Sequence, residues 1–415
     1  MNMNLKILDF LKFAGNIKNT YYKEGRKMKN KTNIKEVKIM RKMIMILFFV
    51  VLSVVLIQGN ADAKITGKAC STCHTMHNSQ NGDAVDSGGP FSYLLKGYGS
   101  SGGTSCWGCH TDSSSAVNVD ATIGAPLIEH AGTAADLAGG NFGYITGTIA
   151  VTSPSTTSNV GHNVTDTGVT DSSFTTNYPP GDEYSQTFNN TEFTCAGVNG
   201  CHGDRAATDE YTAVKGAHHF VDDMLKFGGI NEATQAQTTG TNGTKVGSSY
   251  RFLKGVKGGE DADWEGAGLT AIKHNEYKGA TSPVAGLVDT PGGNTISGLC
   301  NECHGNFHGL SAIGGSILSP FTRHPADIVL PTTGDYAGYT SYNTQVPIAR
   351  TTIPTAASAS NVTNATIMCL SCHRAHASAY PDMLRWDYTK MLAGNAATAD
   401  RDTGCFACHT GKDGN

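Results

Sequence analysis

The chain has 415 residues, among them 12 cysteines, 15 histidines, 50 glycines and only 8% aromatics, with a formal net charge of −4 at pH 7. Residues 1–63 hold 12 of the 31 Lys and Arg but 4 of the 35 Asp and Glu, so the remainder carries 19 against 31, a net of −12. A surface that acidic excludes nucleic acid as a partner.

The first element in chain order is an export signal. Residues 44–57 (IMILFFVVLSVVLI) follow Arg41 and Lys42 and precede Ala61-Asp62-Ala63, the order of a basic region, an apolar region and a small-residue cleavage site. Fourteen residues, all apolar but Ser53, fall short of the roughly 20 that a relaxed span needs. The expectation is that residues 1–63, an N-terminal extension with its signal peptide, are removed before Lys64. That leaves a secreted chain with no stable membrane span, working outside the cell or on its outer surface. The basic stretch ahead of the signal is long for such a region, and Met28, Met40 and Met43 are alternative starts within it.

Residues 64–415 are then punctuated by cysteine. Five CxxCH units occur: Cys70-Cys73-His74, Cys106-Cys109-His110, Cys300-Cys303-His304, Cys369-Cys372-His373 and Cys405-Cys408-His409. CxxCH is the attachment signature of c-type haem. Its two thiols add to the two vinyl groups on one edge of the porphyrin, and the next residue turns its imidazole onto the iron. Zinc chemistry does not ask for a histidine directly after every second cysteine, and a disulfide framework gives those histidines no role. The two remaining cysteines, in TCAGVNGCHGD, place Cys195 and Cys201 around a five-residue spacer with His202 next. Gly197 and Gly200 let the extra residues bulge away, so this unit reads as a stretched sixth attachment site. The cofactor complement is therefore six covalently bound haem c groups.

Between the motifs the chain is rich in Gly, Ser, Thr, Asn and Ala, as in 99–105 and 236–249, which alone would read as linker. Six macrocycles alter that reading, because each supplies apolar surface and pins the chain at three points. Two strands are predicted, Tyr144–Val151 and Thr187–Phe193, and one longer helix, Pro381–Leu392, with Met383, Leu384, Trp386, Tyr388 and Met391 on one side. Intervals of 36, 89, 105, 69 and 36 residues between first cysteines rule out a tandem repeat. The fold class expected is a multihaem cytochrome c, mostly coil with short helices and minimal β structure, forming a single elongated domain around six covalent haems.

What fills the second axial position decides between catalysis and electron transfer. Nine histidines lie outside the motifs, against five methionines after residue 63, so bis-histidine ligation of every iron is available and no open iron is needed for substrate. His77, His308 and His376 follow a motif histidine by three or four residues. In a helical turn that puts them on the same side as the motif histidine, so each is suited to a different iron. His162 and His324 sit in tight loops suited to a ligand, and one of His218 and His219 is expected to ligate. His130 and His274 read as structural or exposed. The functional expectation is an electron-transfer protein and not an enzyme; a monomeric shuttle, an oxyanion reductase with an open iron and a mainly structural fibre are the rivals.

The segments CSTCHTMHNSQ (70–80) and CLSCHRAHASAY (369–380), with the GHN and RHP loops at His162 and His324, resemble the filament-forming hexahaem outer-surface cytochromes of metal-reducing bacteria. CAGVNGCHGD, GAHHF (216–220) and YRFLKGVKG (250–258) look more like other exported cytochromes of that group, and the third attachment spacer departs from the six-haem pattern. The resemblance implies a head-to-tail homopolymer in which His77 leaves its own subunit and ligates the neighbour's haem on His373. It also implies exchange of electrons with other multihaem cytochromes or extracellular acceptors. With His77 given outward, His162, one of His218 and His219, His308, His324 and His376 serve five irons and the neighbour's His77 the sixth.

Overall fold

A computed structural model describes residues 76–80, 82–84, 106–107, 110–120, 125–132, 135–151, 159–169, 179–180, 193–214, 230–231, 236–237, 246, 249–259, 274–281, 294–308, 311–312, 315–316, 324–353 and 361–414. The chain divides into two units, residues 1–61 and 62–415, and every described residue belongs to the second.

Regular structure is sparse, as a chain rich in Gly, Ser, Thr and Asn dictates. The longest described helix, Ile296–Asn301, has six residues, and the strands have two or three. Among the described residues no helix is long and apolar enough to cross a membrane.

Three of these short helices are built on the attachment motifs themselves: Ile296–Asn301, Cys369–Cys372 and Gly404–Cys408. In each motif the histidine N–H returns to the carbonyl of the first cysteine, His304 to Cys300 at 2.8 Å, His373 to Cys369 at 3.0 Å and His409 to Cys405 at 2.9 Å. One i to i−4 bond thus closes the CxxCH turn and sets the spacing of two thiols and one imidazole. Thr295 starts the first of these helices by accepting the Gly298 N–H at 2.9 Å.

The apolar side chains gather into three clusters, each where attachment motifs meet. Phe142, Ile145, Val160, Val164 and Ala377 pack with Trp107 and Cys195. Tyr250, Leu253, Val256, Tyr277, Ile296, Met368 and Leu370 pack with Cys201 and Leu299. Ile348, Ile367, Trp386, Ala407 and Cys408 pack with Cys372 and Cys405. The largest sheet places Ala365–Ile367 between Ile328–Val329 and Ala349–Arg350 and leads straight into the fifth motif.

Two predicted elements differ, and a third lies mostly outside the described residues. Tyr144–Val151 is not a strand: Gly143–Thr146 is one helical turn, started by the Asn141 carboxamide accepting the Gly143 N–H at 2.8 Å and ended by Gly147 at φ 81°. For the second predicted strand, residues 187–192 lie outside the described residues, and Phe193 precedes a strand at Thr194–Ala196. The Pro381–Leu392 helix is two separate 3₁₀ turns, Pro381–Met383 and Tyr388–Lys390. Asp382 adopts φ 58°, Leu384 is extended, and Asp387 begins a new turn by accepting the Thr389 N–H at 3.0 Å. The expected common face is therefore split, with Trp386 buried while Tyr388 is 67% exposed.

Candidate functional site

The stretched unit folds as a loop between two short strands. Thr194–Ala196 and Gly200–His202 pair in parallel, Thr194 against Gly200 and Ala196 against His202, which sets Cys195 beside Cys201. Gly197, at φ 115°, lets the chain double back. A Cβ on Gly200 would lie 2.6 Å from three backbone atoms of Ala196. Asp166 fixes the loop's start by accepting the Cys195 N–H at 3.1 Å. The five-residue spacer therefore brings its thiols together as a two-residue spacer does.

None of the nine described cysteines, at 106, 195, 201, 300, 303, 369, 372, 405 and 408, forms a disulfide. Burial pushes the Cys195 and Cys201 thiols up and those of Cys372 and Cys408 to about 12. A pocket that resists thiolate charge suits an uncharged thioether better than a thiolate ligand.

Thiols of successive motifs are neighbours. Cys195 feels Cys106, Cys300 feels Cys201 and hydrogen-bonds to the Cys369 thiol, and Cys372 feels Cys405 and Cys408. Motifs two to six thus meet in sequence order. Arg205 joins the third to the fourth, donating to the Cys201 carbonyl at 2.9 Å and, with two nitrogens, to the carboxylate of Glu302 inside the CNECH motif.

Six imidazoles share one pattern. His110 donates its Nδ1–H to the Pro126 carbonyl at 2.8 Å, His202 to Arg251 at 2.8 Å, His304 to Pro180 at 2.7 Å and His373 to Asp382 at 2.7 Å. Outside the motifs, His162 donates to Ala375 at 2.6 Å and His324 to Pro325 at 3.0 Å. A carbonyl only accepts, so the proton sits on Nδ1 and the Nε2 lone pair is left for a metal, the arrangement that orients ligating histidines. Burial holds His162 and His202 down to about 4 and His376 to about 3, so each is neutral, as a ligand must be.

Three pairs of rings face one another across similar gaps. Centroids are 6.2 Å apart for His162 and His304, 6.5 Å for His202 and His376, and 6.3 Å for His324 and His409. An imidazole centroid lies about 1.1 Å from its nitrogen and a metal bond adds about 2.0 Å, so two rings on opposite sides of one metal stand about 6.2 Å apart. The residues present therefore fit a bis-histidine haem at motifs three, four and six. When bound there, haem supplies a one-electron ferric/ferrous couple.

Other predicted residues stand as follows. Cys70, Cys73, His74, Cys109, His218 and His219 lie outside the described residues, and His308 ends the helix Gly305–His308. His77 is exposed at φ 56°, next to Met76, which is 73% exposed. Among the described residues no imidazole faces His373 across a gap of the kind seen at the other three motifs. His130 is fully buried with the opposite polarity, its Nδ1 accepting the Gly132 N–H at 3.2 Å, and His274 is buried between Glu276, at 3.2 Å, and the stacked Tyr342 ring. The carbonyl acceptors and Arg205 escaped sequence reading; only the prolines among them carry a local signal.

Residues 361–414 match the family described as "Doubled CXXCH motif". That span contains the fifth and sixth attachment units. No curated protein matches the chain. Two solved structures are similar to it: the outer membrane cytochrome S filament from Geobacter sulfurreducens, at 18% identity and a TM-score of 0.42 over 85% of this chain and 95% of that one, and OmcS nanowires from the same organism, at 18% identity and a TM-score of 0.43 over 81% and 88%. Overlaps at that level decide nothing, and the case for the site rests on its own thiols and imidazoles.

Proposed function

We propose that this chain is an exported hexahaem c-type cytochrome that passes electrons along a file of bis-histidine haems, with no substrate transformed by the protein itself. The observation that carries this reading is the set of three imidazole pairs at 6.2 to 6.5 Å, each beside an attachment motif whose thiols neighbour those of an adjacent one. In the proposal, His376 is the second ligand of the third haem, His162 of the fourth and His324 of the sixth. His308 and one of His218 and His219 serve the first two. Saturated low-spin irons exchange electrons without binding a small molecule.

We further propose that the subunits polymerise head to tail, His77 completing the fifth haem of the next subunit. An exposed His77 in a left-handed turn supports it, as does the motif resemblance; among the described residues no imidazole faces His373. A heterologous contact that does not close generates a filament. Such a polymer, released after removal of residues 1–63, would deliver electrons to other multihaem cytochromes or extracellular acceptors.

Electron cryomicroscopy of material sheared from the cell surface, with intact-mass spectrometry, tests both parts. Six haem additions on a chain beginning at Lys64, in a filament with His77 on the neighbour's fifth haem, is the expected result. Isolated particles with all six irons ligated from within would establish a monomeric shuttle, and a high-spin five-coordinate iron in the assembled protein would favour a reductase.

A further inference from the structure

The third and fifth attachment histidines are held by the same backbone device. His202 donates its Nδ1–H to the Arg251 carbonyl, and the next residue, Gly203, donates its N–H to the next carbonyl, that of Phe252, at 2.6 Å. His373 donates to the Asp382 carbonyl, and Arg374 donates its N–H to that of Met383 at 2.8 Å. The acceptors sit in 3₁₀ turns, Tyr250–Phe252 and Pro381–Met383. In both turns two consecutive residues are left-handed: Arg251 at φ 49° and Phe252 at 59°, Asp382 at 58° and Met383 at 57°. The leucine that follows each turn, Leu253 or Leu384, bridges back to the attachment segment.

Left-handed backbone is unfavourable for Arg, Phe and Met, and two such residues in a row persist only where the surroundings hold them. What the conformation achieves is plain in the bonding: it turns two successive carbonyls toward one side, one for the imidazole and one for the peptide behind it. We infer that the tandem left-handed turns at 251–252 and 382–383 are positioning clamps. They fix ring orientation and ligand strength at the third and fifth haems. Both carbonyls act through their histidine and touch no iron. This inference rests on the haem reading above.

A histidine whose Nδ1–H is bonded to a carbonyl is the stronger donor to ferric iron, so loss of the bond should raise that haem's reduction potential. Second-layer partners of this kind change metal affinity by roughly 10-fold or more, and a tenfold change corresponds to about 59 mV for one electron.

The test compares valine with glycine at each position: Asp382→Val against Asp382→Gly, and Arg251→Val against Arg251→Gly. Both members of a pair lose the same charged side chain, so they differ in whether the left-handed backbone is accessible. Haem stoichiometry is read first by mass, then potentials by spectroelectrochemistry and ring orientation by the ferric low-spin electron paramagnetic resonance signals. The clamp predicts that in the valine variant one of the six potentials lies higher than in its glycine counterpart by about 59 mV, the tenfold figure above, with one altered low-spin signal. Should a valine variant fail to accumulate, alanine, which also disfavours this backbone, takes its place in the same comparison. Haem-loaded pairs with identical potentials and signals overturn the clamp alone. A chain with no haem mass on Cys201 and Cys372 overturns the haem reading and the clamp with it.

Discussion

Replacing Arg205 by methionine, which keeps the stem but removes the guanidinium fork, tests whether the third and fourth haem segments are joined as the structure indicates. Arg205 makes two nitrogen contacts to Glu302, one at 3.0 Å, plus one to the Cys201 carbonyl at 2.9 Å; the two side chains are 17% and 16% exposed. Removing one partner of a fully buried ion pair costs about 3–5 kcal/mol, whereas an exposed pair contributes about 0–1 kcal/mol. For a pair mostly withdrawn from water, about 2–3 kcal/mol is expected, because the Glu302 carboxylate and the Cys201 carbonyl both lose partners. Guanidinium unfolding followed at the haem Soret band measures the loss, and hydrogen exchange over residues 200–205 and 300–304 locates it. Glu302→Leu in the Arg205→Met background should recover part of it, giving a coupling of about 1–2 kcal/mol. A loss below about 0.5 kcal/mol, the size of an ordinary surface substitution, would refute the idea that this fork holds the two segments together.

Four further outcomes follow from named contacts. Gly161→Ala places a Cβ 2.4 Å from Ile145 Cδ1, 2.7 Å from Ala377 Cβ and 2.8 Å from the His376 carbonyl, so it should cost about 1–3 kcal/mol and bring in high-spin absorption; an unchanged spectrum and midpoint would contradict the close approach. Gly200→Ala collides with the Ala196 backbone at 2.6 Å and should separate Cys195 from Cys201, read as a chain one haem mass lighter on average; full loading would count against the folded-back spacer. The His324 and His409 rings are inclined at 83°, against 41° and 47° for the other two pairs, so the sixth haem should give the most anisotropic low-spin ferric signal of the three, and a His324→Met variant should remove that signal selectively. His77→Ala should leave single subunits carrying one high-spin iron by electron microscopy and magnetic circular dichroism, whereas intact filaments would remove His77 from the assembly.

The attachment sites were legible because covalent chemistry writes itself locally: two thiols and an imidazole must come within one turn, so spacing alone exposes Cys300 to His304 or Cys405 to His409. The folding back of the stretched unit was legible through Gly197 and Gly200. Secondary structure was much less so. Tyr144–Val151 alternates like a strand, but Asn141 and Gly147 cap it into a single helical turn. The run from Pro381 to Leu392 has helical spacing, yet its left-handed Asp382 and Met383 follow from a bond to His373 that no local pattern announces. Pairings such as His162 with His304 join residues far apart in sequence, and periodicity carries no information about them. Arg205 likewise looks like any surface arginine until Glu302 is placed beside it.

The segment from His373 to Asp382 shows why so little regular structure can still give a defined site. His373 belongs to the fifth motif, the Ala375 carbonyl accepts from His162, and His376 faces His202 of the third motif. The loop carrying His162 is laced onto this segment by His162 N–H to the His376 carbonyl at 3.0 Å, Ser378 to Val160 at 2.9 Å and Asp382 to Asn159 at 2.7 Å. Gly140, at φ 98°, approaches so closely that a Cβ would lie 1.9 Å from the Ala377 carbonyl oxygen. Ten residues thus fix imidazoles that stand at or beside three different motif histidines, and they do so through backbone groups, whose geometry is stiffer than that of side chains. Of the six carbonyls that receive an imidazole Nδ1–H, three belong to prolines and two to left-handed residues, positions where the local backbone has little freedom. Rigidity is therefore placed at the imidazoles themselves.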